Sequence, residues 1–283
     1  MGYPAIVRLR VIASPYHDGL AEFDRGRGPA RLLQAVSPQL AAESVVTVPA
    51  VDTSLPEAAR VFELARQLSH CVRAALAEGV FPLVLAGDCN SSLGTAAGCG
   101  TDGLGVIWLD AHPDFDTPDQ SHSGSLDAMG LAVLTGRGWS SLRERVIGLE
   151  PVDDTSVLHI SARDYEPGQR AELLRSGIHV LEGNTFTDAE LGAELDHLAN
   201  RVRRMYLHID LDCLDPSEGI ANQYSADGGL SCARLLDIIE DVFGRFDVSA
   251  AAVTAYNPSS DVDGRMASTA SRVLAAIAAC VNG

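Results

Sequence analysis

Short, nearly uninterrupted apolar runs alternate along the chain with longer stretches in which apolar residues recur every three or four positions. The short runs predict strands at Ala5–Ile12, Ser44–Val48, Phe81–Ala86, Leu104–Leu109, Val157–Ser161, His179–Leu181, Met205–Leu211 and Ser249–Ala255. The amphipathic stretches predict helices over Pro29–Val36, Pro56–Glu78, Gln169–Ser176, Asp188–Val202, Cys232–Phe243 and Ala267–Val281. Strands that are apolar on both faces and separated by helices belong to a parallel sheet covered on both sides. No repeat or linker divides the pattern, so residues 1–283 read as one α/β domain. Thr117–Ser125 and Asp215–Gly229, rich in Ser, Gly, Asp and Pro, read as loops.

Composition narrows the function classes. A chain of 283 residues with 46% hydrophobic content can bury a sizeable core. Its formal charge of −17 repels phosphate backbones, so neither nucleic acid nor an anionic membrane is an expected partner. All 21 Lys+Arg residues are Arg. That excludes a catalytic lysine, a Schiff base and a P-loop lysine, although codon usage in a GC-rich genome accounts for the bias. No apolar stretch is long enough to span a bilayer, and the run Met1–Val11, interrupted by Arg8 and Arg10, lacks the order of a signal peptide. The six cysteines are scattered without a CxxC pair, so a cytoplasmic protein with reduced thiols is expected.

Candidate chemistry gathers at strand ends. Leu104–Leu109 runs into Asp110-Ala111-His112-Pro113-Asp114, with Asp110, His112 and Asp114 at period-two spacing. If this segment is extended, all three point to one side. Two carboxylates and an imidazole so close together are costly to desolvate without a cation, and this mixture of donors suits Mn²⁺ or a similar divalent ion. A polar turn after a strand would look the same; a second segment tips the balance. Met205–Leu211 is apolar except for His208 and Asp210, with Asp212 and Asp215-Pro216 following. Phe81–Ala86 ends in Gly87-Asp88-Cys89-Asn90. All three groups fall at the carboxyl ends of strands, where open parallel sheets bind ligands. Four aspartates, one histidine and one cysteine can serve two metal ions, which activate a water and clamp a polar substrate.

These segments, in this order, resemble the ureohydrolase family of arginases and agmatinases. Gly26-Arg27-Gly28-Pro29 is similar to the family's N-terminal glycine-proline loop, and Ala86–Asn90 to its Gly-Gly-Asp-His-Ser segment. Asp110–Asp114 matches Asp-Ala-His-x-Asp. His208–Pro216 matches Ser-x-Asp-x-Asp-x-x-Asp-Pro with His208 in the serine position, and Asn257-Pro258 closes the last strand as in the family. The resemblance implies a three-layer α/β/α fold around a mostly parallel eight-stranded sheet. It implies one metal held by Cys89, Asp110, Asp114 and Asp210, and another by His112, Asp110, Asp210 and Asp212. Two Mn²⁺ ions are expected, with Zn²⁺ the second choice, and Asp114 is carried over as a catalytic as well as a ligating residue.

Three departures from the family pattern bear on the substrate. Cys89 stands where a histidine ligand is usual, and thiolate is a softer, charged donor; an unliganded core thiol is the competing reading, and the ligand reading is preferred because the position follows the strand as the family pattern requires. Asp127, in Ser123-Gly124-Ser125-Leu126-Asp127, takes the catalytic position of the histidine that shuttles protons to the leaving amine. His122 is close by but in another register. Ala255 replaces the glutamate that would pair with a cationic guanidinium. Together these imply a guanidine less basic than arginine. The combination resembles the Nω-hydroxy-L-arginine amidinohydrolases of D-cycloserine biosynthesis, which release hydroxyurea and L-ornithine.

The amino-acid end of such a small-molecule substrate would meet Asp116, Ser121 and Ser123 at its carboxylate, and Asp164 and Glu166 at its ammonium. Each could equally be an ordinary loop residue. The chain ends soon after Ala267–Val281, without the C-terminal extension of trimeric arginases, so a monomer is expected. An ordinary arginase or agmatinase and a metal-binding relic are the competing readings.

Overall fold

The protein is described from a computed structural model that places residues 8–36, 42, 44–121 and 123–283. Residues 5–7 of the first expected strand, and His122, lie outside the described residues.

Eight strands form the central sheet: β1 (Arg8–Ser14), β2 (Ser44–Thr47), β3 (Val80–Ala86), β4 (Leu104–Leu109), β5 (Val157–Ile160), β6 (His179–Leu181), β7 (Arg204–Asp210) and β8 (Asp247–Thr254). They are ordered β2-β1-β3-β8-β7-β4-β5-β6, and every pairing in this sheet is parallel. Each coincides with an expected strand to within two or three residues at its described ends. A two-stranded hairpin, Tyr16–His17 with Leu20–Ala21, was not expected. It turns through Asp18 and Gly19, both at positive φ.

Strand side chains alternate between two apolar layers. Leu83, Leu85, Leu207 and Ile209 pack with helices α1 (Gly28–Val36), α7 (Asp188–Ala199), α8 (Cys232–Arg245) and α9 (Arg265–Asn282). Val84, Ala86, Trp108 and Tyr206 pack with α2 (Glu57–Ala77), α3 (Ser91–Cys99) and α4 (Gly130–Leu134). The sheet is thus covered on both faces, with α5 (Ser140–Arg143) and α6 (Gln169–Ser176) completing the helices among the described residues. Among the described residues no helix is long and apolar enough to cross a membrane.

Helix α3 escaped the sequence pattern because Ser, Gly, Ala and Thr dominate it. Those small residues are what let it lie close to α2: a Cβ on Gly94 would stand 2.6 Å from the Ala65 carbonyl oxygen. Helix α7 stops at Ala199 rather than Val202, where the chain turns into β7. It starts where Thr187 and Glu190 form a reciprocal capping box.

Several strands end on a local backbone device rather than where hydrophobicity ends. Ser161 and Ala255, expected as the last residues of their strands, adopt left-handed φ of 81° and 62° and lie outside them. Leu211, also expected in its strand, opens a short 3₁₀ turn.

Candidate metal centre

The four central strands, in spatial order β3-β8-β7-β4, end side by side, and β3, β7 and β4 carry the candidate ligands at or just beyond their C-terminal ends. Register aligns them: Trp108 of β4 pairs with His208 of β7, and Asp210 of β7 with Thr254 of β8. The expected period-two geometry needs correction. Asp110–Asp114 is not extended, because Asp110 Oδ1 accepts the backbone N–H of His112 at 2.8 Å. Asp210 Oδ1 accepts that of Asp212 at 2.8 Å in the same way. Each aspartate folds the chain back on itself in an Asx turn, and that turn brings the next polar residue into the site. Asp114 follows with a φ of 46°, an uncommon value for a residue with a side chain.

Five of the six expected ligands come within contact of one another, and Asp114 lines the same cavity. Cys89 Sγ is 3.1 Å from Asp210 Oδ2 and 3.9 Å from Asp110 Oδ2. His112 Nδ1 is 3.4 Å from both Asp110 Oδ1 and Asp212 Oδ2. Asp110, His112 and Asp212 each offer a donor atom within 4.8 Å of the others, and so do Cys89, Asp110 and His208. Apart from the half-buried His112, all of these side chains are buried. Surrounding donors hold the carboxylates in place: Trp108 Nε1 reaches Asp110 Oδ2 at 3.1 Å, and Asn222 Nδ2 reaches Asp212 Oδ2 at 3.1 Å.

Electrostatics favours a cation at this place. Burial and the neighbouring Asp212 charge push Asp110 up to about 6. Burial and adjacent carboxylates hold Asp114 and Asp210 well above the usual carboxylate range. Burial, then the same aspartates, raises the Cys89 thiol. Only Asp212 is held low: burial opposes this, but the His112 imidazolium outweighs it. Asp114 Oδ2 is buried without a hydrogen-bond partner. Anionic oxygens and a sulfur, desolvated together and short of donors, suit divalent metal ions.

A second network stands beside these ligands. Arg25, buried, pairs through Nη1 with Asp127 Oδ2 at 2.8 Å, while Nη2 is 2.6 Å from His17 Nε2. The other oxygen of Asp127 accepts the Cys89 backbone N–H at 2.7 Å. Both oxygens of Asp127 are therefore engaged. The loop carrying Arg25 reaches the centre because Gly87 lets it approach. A Cβ on Gly87 would lie 2.3 Å from the Tyr16 carbonyl oxygen and 2.7 Å from Gly26 Cα. Burial alone would lower the pKa of Arg25, but Asp127, Asp210 and Asp88 outweigh it, so Arg25 is a permanent cation.

A cavity of about 230 Å³ opens over the ligands. Of the residues expected to bind substrate, Asp116, Ser123, Asp164 and Glu166 line it. Ser121 is not among the lining residues and instead accepts the Gly124 N–H at 3.1 Å. Asp116 accepts from Gln169 Nε2 at 2.7 Å, and Asp164 Oδ2 is 3.7 Å from His112 Nε2. Arg25, Ser125, Gln169 and Tyr224 also line the cavity and were not expected. Ala255 is fully buried, and its carbonyl accepts from Asn222 at 3.0 Å. Arg25 adjoins the glycine-proline loop singled out from sequence, the one signal that could have drawn attention to it.

Comparison with known proteins shows the family and the fold. The arginase family model matches residues 15–280. The chain is 32% identical to the arginase of Bacillus subtilis (strain 168) over 212 residues, 72% of this chain and 71% of that one. It is 34% identical to the arginase of Brevibacillus brevis over 178 residues, 60% of this chain and 59% of that one, less than two thirds of the relative's length. A crystal structure of arginase from Bacillus subtilis superposes with a TM-score of 0.83 at 28% identity, covering 95% of this chain and 98% of that one.

Proposed function

The chain belongs to the arginase family of hydrolases acting on amidino C–N bonds, and from that premise we propose that its substrate is Nω-hydroxy-L-arginine, cleaved to hydroxyurea and L-ornithine. One metal ion would be held by Cys89, Asp110, Asp114 and Asp210, the other by His112, Asp110, Asp210 and Asp212, with Mn²⁺ expected. When bound, such a pair acidifies water to a nucleophile near neutral pH and clamps a polar substrate.

The observation that carries the substrate reading is the Arg25–Asp127 ion pair at the cavity wall. A protonated guanidinium needs a free carboxylate to replace its water. Arg25 already consumes the charge of Asp127, and position 255, where the family has glutamate, is alanine. Of the other carboxylates lining the cavity, Asp114, Asp210 and Asp212 are metal-ligand candidates, Asp116 accepts from Gln169, and Asp164 and Glu166 are assigned to the amino-acid end of the substrate. A guanidine whose hydroxyl lowers its basicity can enter neutral and lacks that requirement.

The chain's own groups then divide the work. Asp127 holds the Cys89 backbone through its N–H and so orients the thiol; with both oxygens engaged it does not deliver a proton. Asp164 and Glu166 at the cavity wall offer charge to an α-ammonium, and Ser123 offers a hydroxyl to the carboxylate. Resemblance carries the reading on to hydroxyurea supply in D-cycloserine biosynthesis. The same proposal includes one domain over residues 1–283 and a monomeric, cytoplasmic protein.

The test is a paired assay of Mn²⁺-loaded protein. Hydroxyarginine should turn over at least about tenfold faster than arginine, a difference of about 1.4 kcal/mol in transition-state stabilisation. Equal or faster release of urea from arginine would establish an ordinary arginase instead, and preference for agmatine an agmatinase.

A further inference from the structure

Beneath the candidate centre His208 is fully buried, its ring stacked on Trp108 with centroids 3.8 Å apart. Its Nδ1 is 2.8 Å from the Tyr206 hydroxyl. Its Nε2 is buried and has no hydrogen-bond partner, although donors and acceptors surround the site. A ring nitrogen of His208 also lies within 4.8 Å of Cys89 Sγ and of a carboxylate oxygen of Asp110. An orphaned buried polar atom calls for an explanation, and an ion is one of the few available. These are features of a ligating imidazole: one nitrogen oriented by a neighbouring hydroxyl, the other bare, and the ring set among further ligand atoms. Register makes this possible. His208 and Asp210 sit two apart on β7 and share a face, opposite Trp108 on β4.

The geometry points to His208 as a ligand of the metal position held by Cys89 and Asp110, making it a sulfur–nitrogen–carboxylate site for a borderline ion such as Zn²⁺. This rests on the metal-centre reading above but changes its chemistry. Mn²⁺ favours oxygen and imidazole donors, whereas a thiolate, an imidazole and a carboxylate together form a set that Zn²⁺ takes in many proteins. The two ions would then be unlike, with the harder one at His112 and Asp212. Serine, usual at position 208 in the family pattern, could not play this part in the same way.

The test is X-ray absorption at the zinc edge on full-length, metal-free protein given one equivalent of Zn²⁺. Sulfur and imidazole nitrogen should appear in the same coordination sphere. The ligand sets carried over from the family put Cys89 and His112 on different ions, so this signature is specific. In His208→Ser the nitrogen should be lost, and Zn²⁺ affinity, read by competition with a chromophoric chelator, should fall by more than about tenfold. Tyr206→Phe, which keeps the ligand but loses its orienting hydroxyl, should lower affinity by about 10- to 100-fold. Circular dichroism checks that both variants fold, and the wild-type absorption spectrum stands even where one does not. A zinc sphere with sulfur but no imidazole, or unchanged affinity in a folded His208→Ser, overturns the assignment. Total metal per chain tests the binuclear reading separately: one ion per chain with the sulfur–imidazole signature removes that reading and leaves this one.

Discussion

Arg25 and Asp127 form a 2.8 Å ion pair at the wall of the cavity, and Asp127 in turn holds the backbone of Cys89 at 2.7 Å. One aspartate thereby ties a loop cation to the strand end that presents a candidate metal ligand. Breaking a buried pair from one side leaves the other charge without a partner.

Asp127→Asn keeps an acceptor for the Cys89 N–H but strands Arg25. It should cost about 3–5 kcal/mol of stability, the usual range for a buried pair broken from one side. Denaturant unfolding of metal-free wild type and variant measures it. A loss under about 1 kcal/mol would mean that water already solvates Arg25.

Restoring the family histidine with Asp127→His should not by itself confer arginine cleavage, because Arg25 would then face the site unpaired. Combined with Arg25→Leu it should recover stability relative to the single variant and raise arginine turnover. A double-mutant cycle on both quantities reads the coupling, expected at about 0.5–3 kcal/mol. Strictly additive effects would show that the two side chains act independently.

Gly87→Ala should be more damaging than its one methyl suggests. Its Cβ would sit 2.3 Å from a backbone carbonyl oxygen that has no flexible end to move. Overpacking of this kind costs about 1–3 kcal/mol, and pushing the Arg25 loop away should also weaken metal retention. Thermal melts and metal content after dialysis check both parts.

The acid cluster makes a pH prediction. Asp110, raised to about 6, and Asp114 and Asp210, also raised well above the usual carboxylate range, bind protons more tightly in the metal-free folded state than when unfolded. Their stabilising contribution is full below the ordinary carboxylate range and is lost as pH rises through the folded values. His112 works in the same sense: burial lowers its pKa, but Asp212 and Asp110 raise it above its ordinary value. Asp212, held low, loses its contribution only below the ordinary carboxylate range. Metal-free protein should therefore melt at a higher temperature at about pH 5.5 than at about pH 7.5. Metal binding needs deprotonated ligands, so the gain in Tm on adding Mn²⁺ should shrink on the same acidification. A metal-free protein that melts higher at the more alkaline pH would show that these aspartates are not desolvated together.

Hydrophobic pattern showed the eight strands of the described sheet: the inner ones because a strand buried on both faces must be apolar throughout, and the partly buried edge strands Ser44–Thr47 and His179–Leu181 as short runs between polar segments. Six of the nine helices among the described residues were legible from apolar positions recurring every three or four residues; α3 was not, since its small residues serve close packing, which leaves no periodic stripe. The identities of Cys89, Asp110, His112, Asp114, Asp210 and Asp212 as candidate ligands were also present in the sequence, as polar residues clustered after apolar strands. Only the tertiary structure decided how they meet. Asx turns at Asp110 and Asp210, rather than extended strands, fold them inward, since a carboxylate beside a free backbone N–H closes the turn locally. Arg25 and His208 depended on it altogether. Arg25 lies 102 positions before Asp127 in the chain, and His208 lies more than 100 after Cys89. No local pattern couples partners so far apart: sheet register sets His208 beside Trp108 at the strand ends, and the close approach of the Arg25 loop over Gly87 brings Arg25 to Asp127.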